Sequence, residues 1–300
     1  MRQLYNLVKK NVFLLEIRHF IEIILKLNPI TYRNSLKCLS SFGGNLLSKR
    51  YLSNYKKSDR LYILGSGESI NLLTDDQISE IKNHDSIGMN QWCFHNEIFP
   101  TFYSLEFEVL NKKDGSELQS EINKKIVDEV MYKWEKYAAT IFIVKPRDKV
   151  LDYQISLFKK IKEGNKLFWN NSFLIPGTNI VFVKFYLFLI KFFRILNFDN
   201  VFLNKAASLF WCILFAYKLE YKEIILVGVD LKGNYFYDVI TNSDSNSFVH
   251  LTANPLKVSG GVTIQDLIIS SNEILFKPNN IRICVLNNNY SLLNKILPGF

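Results

Sequence analysis

The sequence predicts an α/β fold: a mostly parallel, doubly wound sheet, preceded by a helical extension and covered in part by a lid. Three observations carry this. From Arg60 onward, short apolar runs alternate with longer helix-patterned stretches, as a parallel sheet with crossover helices requires. The run YKEIILVGVD (221–230) is nearly continuous in apolar residues, the mark of a strand covered on both faces. Hydrophobic residues make up 48% and charged residues 22% of the 300. That excludes disordered and fibrous classes and allows one large domain or two modest ones to bury a core.

In chain order, residues 6–27 read as a helix in which Glu16, His19, Glu22 and Lys26 recur at helical spacing, a polar stripe on an apolar cylinder. Pro29 is expected to close it. Residues 40–59, rich in Ser, Gly, Asn and Lys, read as a linker. The division is therefore an extension over 1–59 and a main domain over 60–300. In the domain, LYIL (61–64) is a strand ending in Gly65-Ser66-Gly67, followed by a helix over 74–83. Strands are expected at 85–90, 99–106 and 140–145, with a charged helix over 115–137 between the last two. A loop-like stretch holds Trp169, Pro176 and Gly177, and 179–198 is a strongly apolar helix carrying Lys184, Lys191 and Arg194. A helix over 204–219, the strand at 221–230, a helix over 261–276 and a strand at 281–286 complete the domain.

The net charge of +9 resembles that of a nucleic-acid binder until it is localised. Residues 1–57 hold 11 Lys and Arg against 2 Asp and Glu, and the rest of the chain is neutral. A basic arm with apolar stripes favours an anionic membrane surface or a protein partner over nucleic acid. The charges in the arm exclude a spanning helix, which needs ~20 nearly uncharged residues. No signal peptide is legible, and Cys38, Cys93, Cys212 and Cys284 are scattered as in a cytosolic protein with reduced thiols. The expected location is the cytoplasm, peripheral to the inner membrane.

Ligands of such sheets bind beyond the carboxyl ends of the strands. The rule selects the turn Gly65-Ser66-Gly67-Glu68-Ser69, Asn90, the turn after Ser104, and Asp230 with the loop behind it. Glycines in the first let backbone N–H groups approach a phosphate, or serve only as a strand-to-helix connection. Asn90 offers a donor and an acceptor to a base or ribose, or caps the next segment. Asp230 holds a ribose or a ligand amine, or orients its own loop. Lys232 and Tyr235 supply the cation and the neutral donor that a leaving phosphate needs. No D-x-D pair ends a strand, so neither a metal-bridged donor nor any resident cofactor is expected. Of the histidines His19, His84, His95 and His250, only His250 follows a polar stretch, TNSDSNS, fit to fold over a ligand as a lid.

The ordered set LYILGSGESI, SIGMNQW, KAASLFWCILFAYKLEYKEIILVGVDL, NYFYD and NNNYSLLN resembles the bacterial sialyltransferases of glycosyltransferase family 42, which act on lipooligosaccharides. The resemblance covers residues 60–300. It implies a GT-A-like variant of the nucleotide-binding fold, inverting and metal-independent, with a CMP-linked sialic or related acidic sugar as donor. By position, Gly65, Ser66 and Gly67 would line the cytidine phosphate, with Ser69 in the same nucleotide-sugar site, and Asn90 would contact the nucleotide. Lys205, where the family has an arginine, and Ser208 would stand near the donor. Tyr235 would bond the leaving phosphate. Ser66 and Ser104 replace asparagines, and Lys232 replaces a second tyrosine. The family's catalytic histidine precedes the helix that begins here near Thr263, where LKVSGGVTIQD has none; His250 fills that role if the segment between is an insertion. The partners implied are a CMP-linked acidic sugar, a glycan or lipid-linked glycan acceptor and the membrane surface, with self-association left open. Two other readings stay open: a phosphotransferase of related architecture, and a non-catalytic nucleotide- or sugar-binding assembly protein.

Overall fold

The computed structural model describes residues 12–107, 116–145, 150–164, 166–177, 179–205, 208–230, 257–258, 262–286 and 291–300. Its centre is a sheet of eight strands, every neighbouring pair parallel. In chain order these are β1 (Asn45–Leu46), β2 (Arg60–Leu64), β3 (Asp85–Met89), β4 (Phe102–Leu105), β5 (Ile141–Val144), β6 (Leu167–Trp169), β9 (Glu223–Val227) and β12 (Arg282–Val285). Across the sheet they run β1-β6-β5-β4-β3-β2-β9-β12. Two small ribbons lie apart: β7 (Phe173–Leu174) parallel to β8 (Leu203–Asn204), and β10 (Lys257–Val258) antiparallel to β11 (Val262–Thr263).

Alternate residues of each strand enter different cores, as the two-residue strand period demands. Leu61 and Ile63 face one core with Trp211, Phe215, Leu187 and Leu267; Tyr62 and Leu64 face the other with Ile81, Val130, Phe158 and Trp92. The first core is built by helices α7 (Ile180–Phe192), α8 (Ser208–Lys218) and α9 (Ile264–Ser271). The second is built by α4 (Asp75–Asn83), α5 (Ser116–Tyr132) and α6 (Asp152–Glu163). Helix α4 begins with a capping box in which Thr74 and Gln77 satisfy each other's backbone.

The amino-terminal region departs from the sequence reading in two ways. Helix α1 (Val12–Ile21) does not stop at Pro29; it runs through a π-helical turn, Glu22–Leu27, into α2 (Asn28–Phe42). The Asn28 N–H bonds the Ile23 carbonyl, five residues back. That widened register accommodates a ring that has no N–H to give. Asn28 also exchanges two bonds with the Leu174 backbone, 2.7 Å from the Leu174 N–H and 3.4 Å to its carbonyl. The second departure is the supposed linker over 40–59. It supplies β1, which pairs with β6, and α3 (Lys49–Ser53), and it buries Leu47 and Leu52 completely. Its end is anchored by Asp85, a buried carboxylate that accepts the N–H groups of Lys57 (2.8 Å) and Ser58 (3.0 Å) and the Tyr221 hydroxyl (3.0 Å). Composition marked the stretch as loose because its polar residues outnumber the few apolar anchors that fix it.

The apolar stretch 179–198 is helical only to Phe192, and Arg194 takes a left-handed conformation (φ 51°) before a short 3₁₀ turn. The loop-like stretch around Trp169 holds β6, whose indole Nε1 donates to Gly43 O at 2.7 Å. Helix 261–276 begins at Ile264 and passes into a π turn at Asn272–Phe276.

Candidate functional site

From β2 the chain steps outward through β3, β4, β5 and β6, then returns to place β9 and β12 on the other side of β2. The direction of winding therefore reverses between β2 and β9, the place beyond whose carboxyl ends sheets of this kind hold ligands. The two loops that meet there are held together. Gly65 N–H donates to Val227 O and Gly67 N–H to Gly228 O, each at 2.7 Å. Asp230 accepts from the Ser69 backbone at 2.9 Å and from its hydroxyl at 2.6 Å. A Cβ on Gly65 would overlap the Gly228 carbonyl, and one on Gly67 the Asp230 carboxylate. Gly228 adopts φ +63°, and a Cβ there would run into Ile70. These glycines serve the close approach of two loops, and two of the expected phosphate-facing N–H groups are donated within the protein. Of the two readings of Asp230, the bonds to Ser69 are those of an orienting residue. Ser66 stands half-buried between the two committed glycines.

The next two strand ends carry a second polar group. Asn90 follows β3 with φ 40°, a conformation that asparagine tolerates better than most residues. Its Oδ1 accepts the Glu106 N–H at 2.8 Å, and its carbonyl accepts the Tyr103 hydroxyl. Among the described residues its Nδ2 donates to none. Glu106, one residue past β4, is the member that sequence reasoning missed. It is buried, accepts the Ser208 hydroxyl at 3.0 Å and lies 3.5 Å from the Lys145 ammonium. Its other oxygen, Oε1, is buried and has no hydrogen-bond partner among the described residues. Ser104, inside β4, likewise has a buried hydroxyl without one. The signal for Glu106 was present as an acidic residue closing FYSLE, but a single carboxylate after an apolar run has no spacing to mark it.

Lys205 follows β8 and is 3% exposed. Its ammonium donates to the Gly177 carbonyl, and burial lowers its pKa to about 8, with Glu16 pulling the other way. Glu16 belongs to α1 and is itself buried. His19, one turn on, has its pKa lowered by burial first and by Lys205 second. The helical extension thus brings Glu16 and His19 close to Lys205, three residues before Ser208, and its polar stripe is partly an inward-facing group.

Lys232, Tyr235 and His250, with the supposed lid, lie outside the described residues. The two histidines of the domain that are described have structural places. His95 stacks on Trp92 with ring centroids 4.7 Å apart, and its Nδ1 accepts the N–H groups of Glu97 and Ile98 at 3.2 Å. Burial, then Lys133 and Lys82, lowers its pKa to about 4, so the ring is neutral. His84 caps α4 ahead of β3, at the opposite end of the sheet, 3.2 Å from Glu80. Among the described residues no three His, Cys, Asp or Glu side chains gather as metal ligands.

What the strand ends offer chemically is an oriented hydroxyl-and-carboxylate pair at Ser69 and Asp230, and a partly satisfied carboxylate beside an ammonium at Glu106 and Lys145. A buried carboxylate oxygen with free lone pairs is an acceptor for a ligand hydroxyl or amine. No family model matches the sequence, and no curated protein matches it. Among solved structures, the chain is similar to the monofunctional alpha-2,3-sialyltransferase Cst-I from Campylobacter jejuni, at 16% identity over 80% of each chain with a TM-score of 0.42.

Proposed function

We propose that the protein is a glycosyltransferase that moves sialic acid or a related acidic sugar from its CMP ester to a cell-surface glycan or lipid-linked glycan acceptor. The observation that carries this reading is the meeting of separated motifs at one end of one sheet. Gly65 bonds the end of β9, Ser69 bonds Asp230, Asn90 bonds Glu106, and Glu106 bonds Ser208. The turn at 65–69 and Asn90 would position the nucleotide, with Glu106 accepting a hydroxyl or amine of the donor. Lys205 would add positive charge near the sugar acid. Tyr235 and Lys232 would stabilise the charge developing on the leaving phosphate, where losing one donor typically costs ~3 kcal/mol. His250 would take the proton from the acceptor hydroxyl, a contribution of ~10²–10⁴-fold. The basic amino-terminal region would keep the enzyme where lipid-linked acceptors lie.

Titration calorimetry with CMP, with and without a chelator, and CMP release from CMP-sialic acid test the reading together. Binding that survives the chelator and release of CMP on addition of acceptor are the expected results. A strict requirement for magnesium or manganese would remove the metal-independent mechanism. Absence of both binding and release would remove the donor.

A further inference from the structure

Helix α7 is apolar or aromatic at every position but Lys184 and Lys191. Val183, Leu187 and Ile190 enter the core, and the opposite stripe is Val181, Phe185, Phe188 and Phe192, exposed by 70, 51, 55 and 67%. The spacing of that stripe is helical, so these side chains share one outward face. Past the helix end the exposure continues at Phe193 and Phe198. Phe188 and Phe192 stack at 6.1 Å between centroids, and Phe192 and Phe193 meet edge-on at 5.1 Å. A helix lying on a water-facing surface places polar residues on its outward stripe. A contiguous aromatic stripe is instead the mark of a docking surface.

The segment's own charges have one sign. Residues 179–198 contain Lys184, Lys191 and Arg194 and no acidic residue. Lys184 pairs with Glu273 at 3.1 Å, while Lys191 and Arg194 have no ion-pair partner among the described residues. On another side of the helix Tyr186, packed against the core, stacks on Phe20 of α1 at 6.1 Å, tying α7 to the basic extension. Among the described residues no helix is long and apolar enough to cross a membrane. Aromatic side chains on one face, with Lys191 and Arg194 beside them and no acidic partner for either among the described residues, match the boundary of a bilayer that carries anionic headgroups.

We propose that the outward face of α7, with Phe193 and Phe198, docks the protein on an anionic phospholipid bilayer by inserting its phenylalanines among the acyl chains while Lys191 and Arg194 meet the headgroups. The helix is capped by Asn179, two residues after the carbonyl that Lys205 holds. Docking by this face therefore brings the candidate site to the membrane surface. The inference extends the lipid-linked acceptor reading and stands apart from it in its test, because vesicle binding is measured without any transfer.

The test is co-sedimentation of the full chain with vesicles of phosphatidylcholine and phosphatidylglycerol, and with phosphatidylcholine alone. The parent protein is expected to prefer the anionic vesicles. Phe188→Ser with Phe192→Ser should lower partitioning by about tenfold or more with an unchanged melting temperature, since both side chains face outward. Lys191→Glu with Arg194→Glu should remove the preference for anionic lipid. Phe188→Trp should give an added fluorescence component quenched by brominated acyl chains. Parent-level vesicle binding by the double serine variant, or no quenching of the introduced indole, overturns the proposal. So does a parent dimer in sedimentation velocity that the serine variant dissociates while neither protein binds vesicles; the face is then an interface between copies. Vesicle binding without CMP release sinks the transfer reading and leaves this one standing.

Discussion

Glu106 and Asp230 are both carboxylates at strand ends, yet their surroundings give them different work. Asp230 is spent on Ser69, and its place was legible because it ends the longest apolar strand run in the sequence. Glu106 was not legible, since its importance comes from Ser208 and Lys145, remote in sequence and near in space. Glu106→Gln keeps the size of the side chain and removes its charge. It is expected to leave the fold intact and to weaken CMP binding by roughly tenfold or more, the worth of a bond to a charged group. Calorimetry decides it, and parent affinity would exclude Glu106 from the nucleotide site. His250→Ala is expected to keep CMP affinity and lose most transfer, whereas Tyr235→Phe lowers turnover partially. Parent-rate transfer by the His250 variant would assign the base elsewhere, and the stacked, neutral His95 is a poor substitute.

Strands with four or more apolar residues, such as β2, β5 and β9, could be read from the sequence because burial on both faces leaves a continuous run. Strands of two or three residues could not: β1, β7 and β8 are too short to show any period, and β6 hid in a stretch that reads as loop. Pro29 misled for another reason, because a π turn can absorb the missing N–H where a neighbouring Asn28 is pinned from outside. The anchor of 57–58 on Asp85 gives this scale its prediction. Asp85→Ala strands the Lys57 and Ser58 N–H groups and the Tyr221 hydroxyl, each costing ~1–3 kcal/mol when left without a partner. A loss of at least about 3 kcal/mol in urea unfolding is expected; a change within ~0.5 kcal/mol would mean that other contacts hold the segment.

For the molecule as a whole, two buried lysines set a pH dependence. Burial lowers both Lys205 and Lys218 to about 8 from the ordinary 10.5. Lys218 donates to the carbonyls of Leu196 and Phe198, tying α8 to the turn after α7. Below pH 8 both lysines are charged in the folded and unfolded chains, and the cost of burying the charge is constant. Between about 8 and 10.5 the unfolded chain binds more protons, so stability rises with pH. Lys218→Met lacks one of these groups. The parent protein should therefore gain melting temperature on the variant as pH is raised from 7 to 9.5 (roughly the span that crosses the folded pKa). A constant difference would show that Lys218 titrates near its ordinary value.

One consequence of β1 lies outside the native fold. It shields the flank of β6, whose sequence is Leu167-Phe168-Trp169. If the chain is cut at residue 59, that flank becomes an open apolar template for the strands of other molecules. Such a truncated protein is expected to form soluble aggregates on size exclusion, whereas the full chain runs as a discrete species. Deleting the extension to probe its role would thus report self-association in place of lost membrane contact, and exposed-face substitutions are the sounder route.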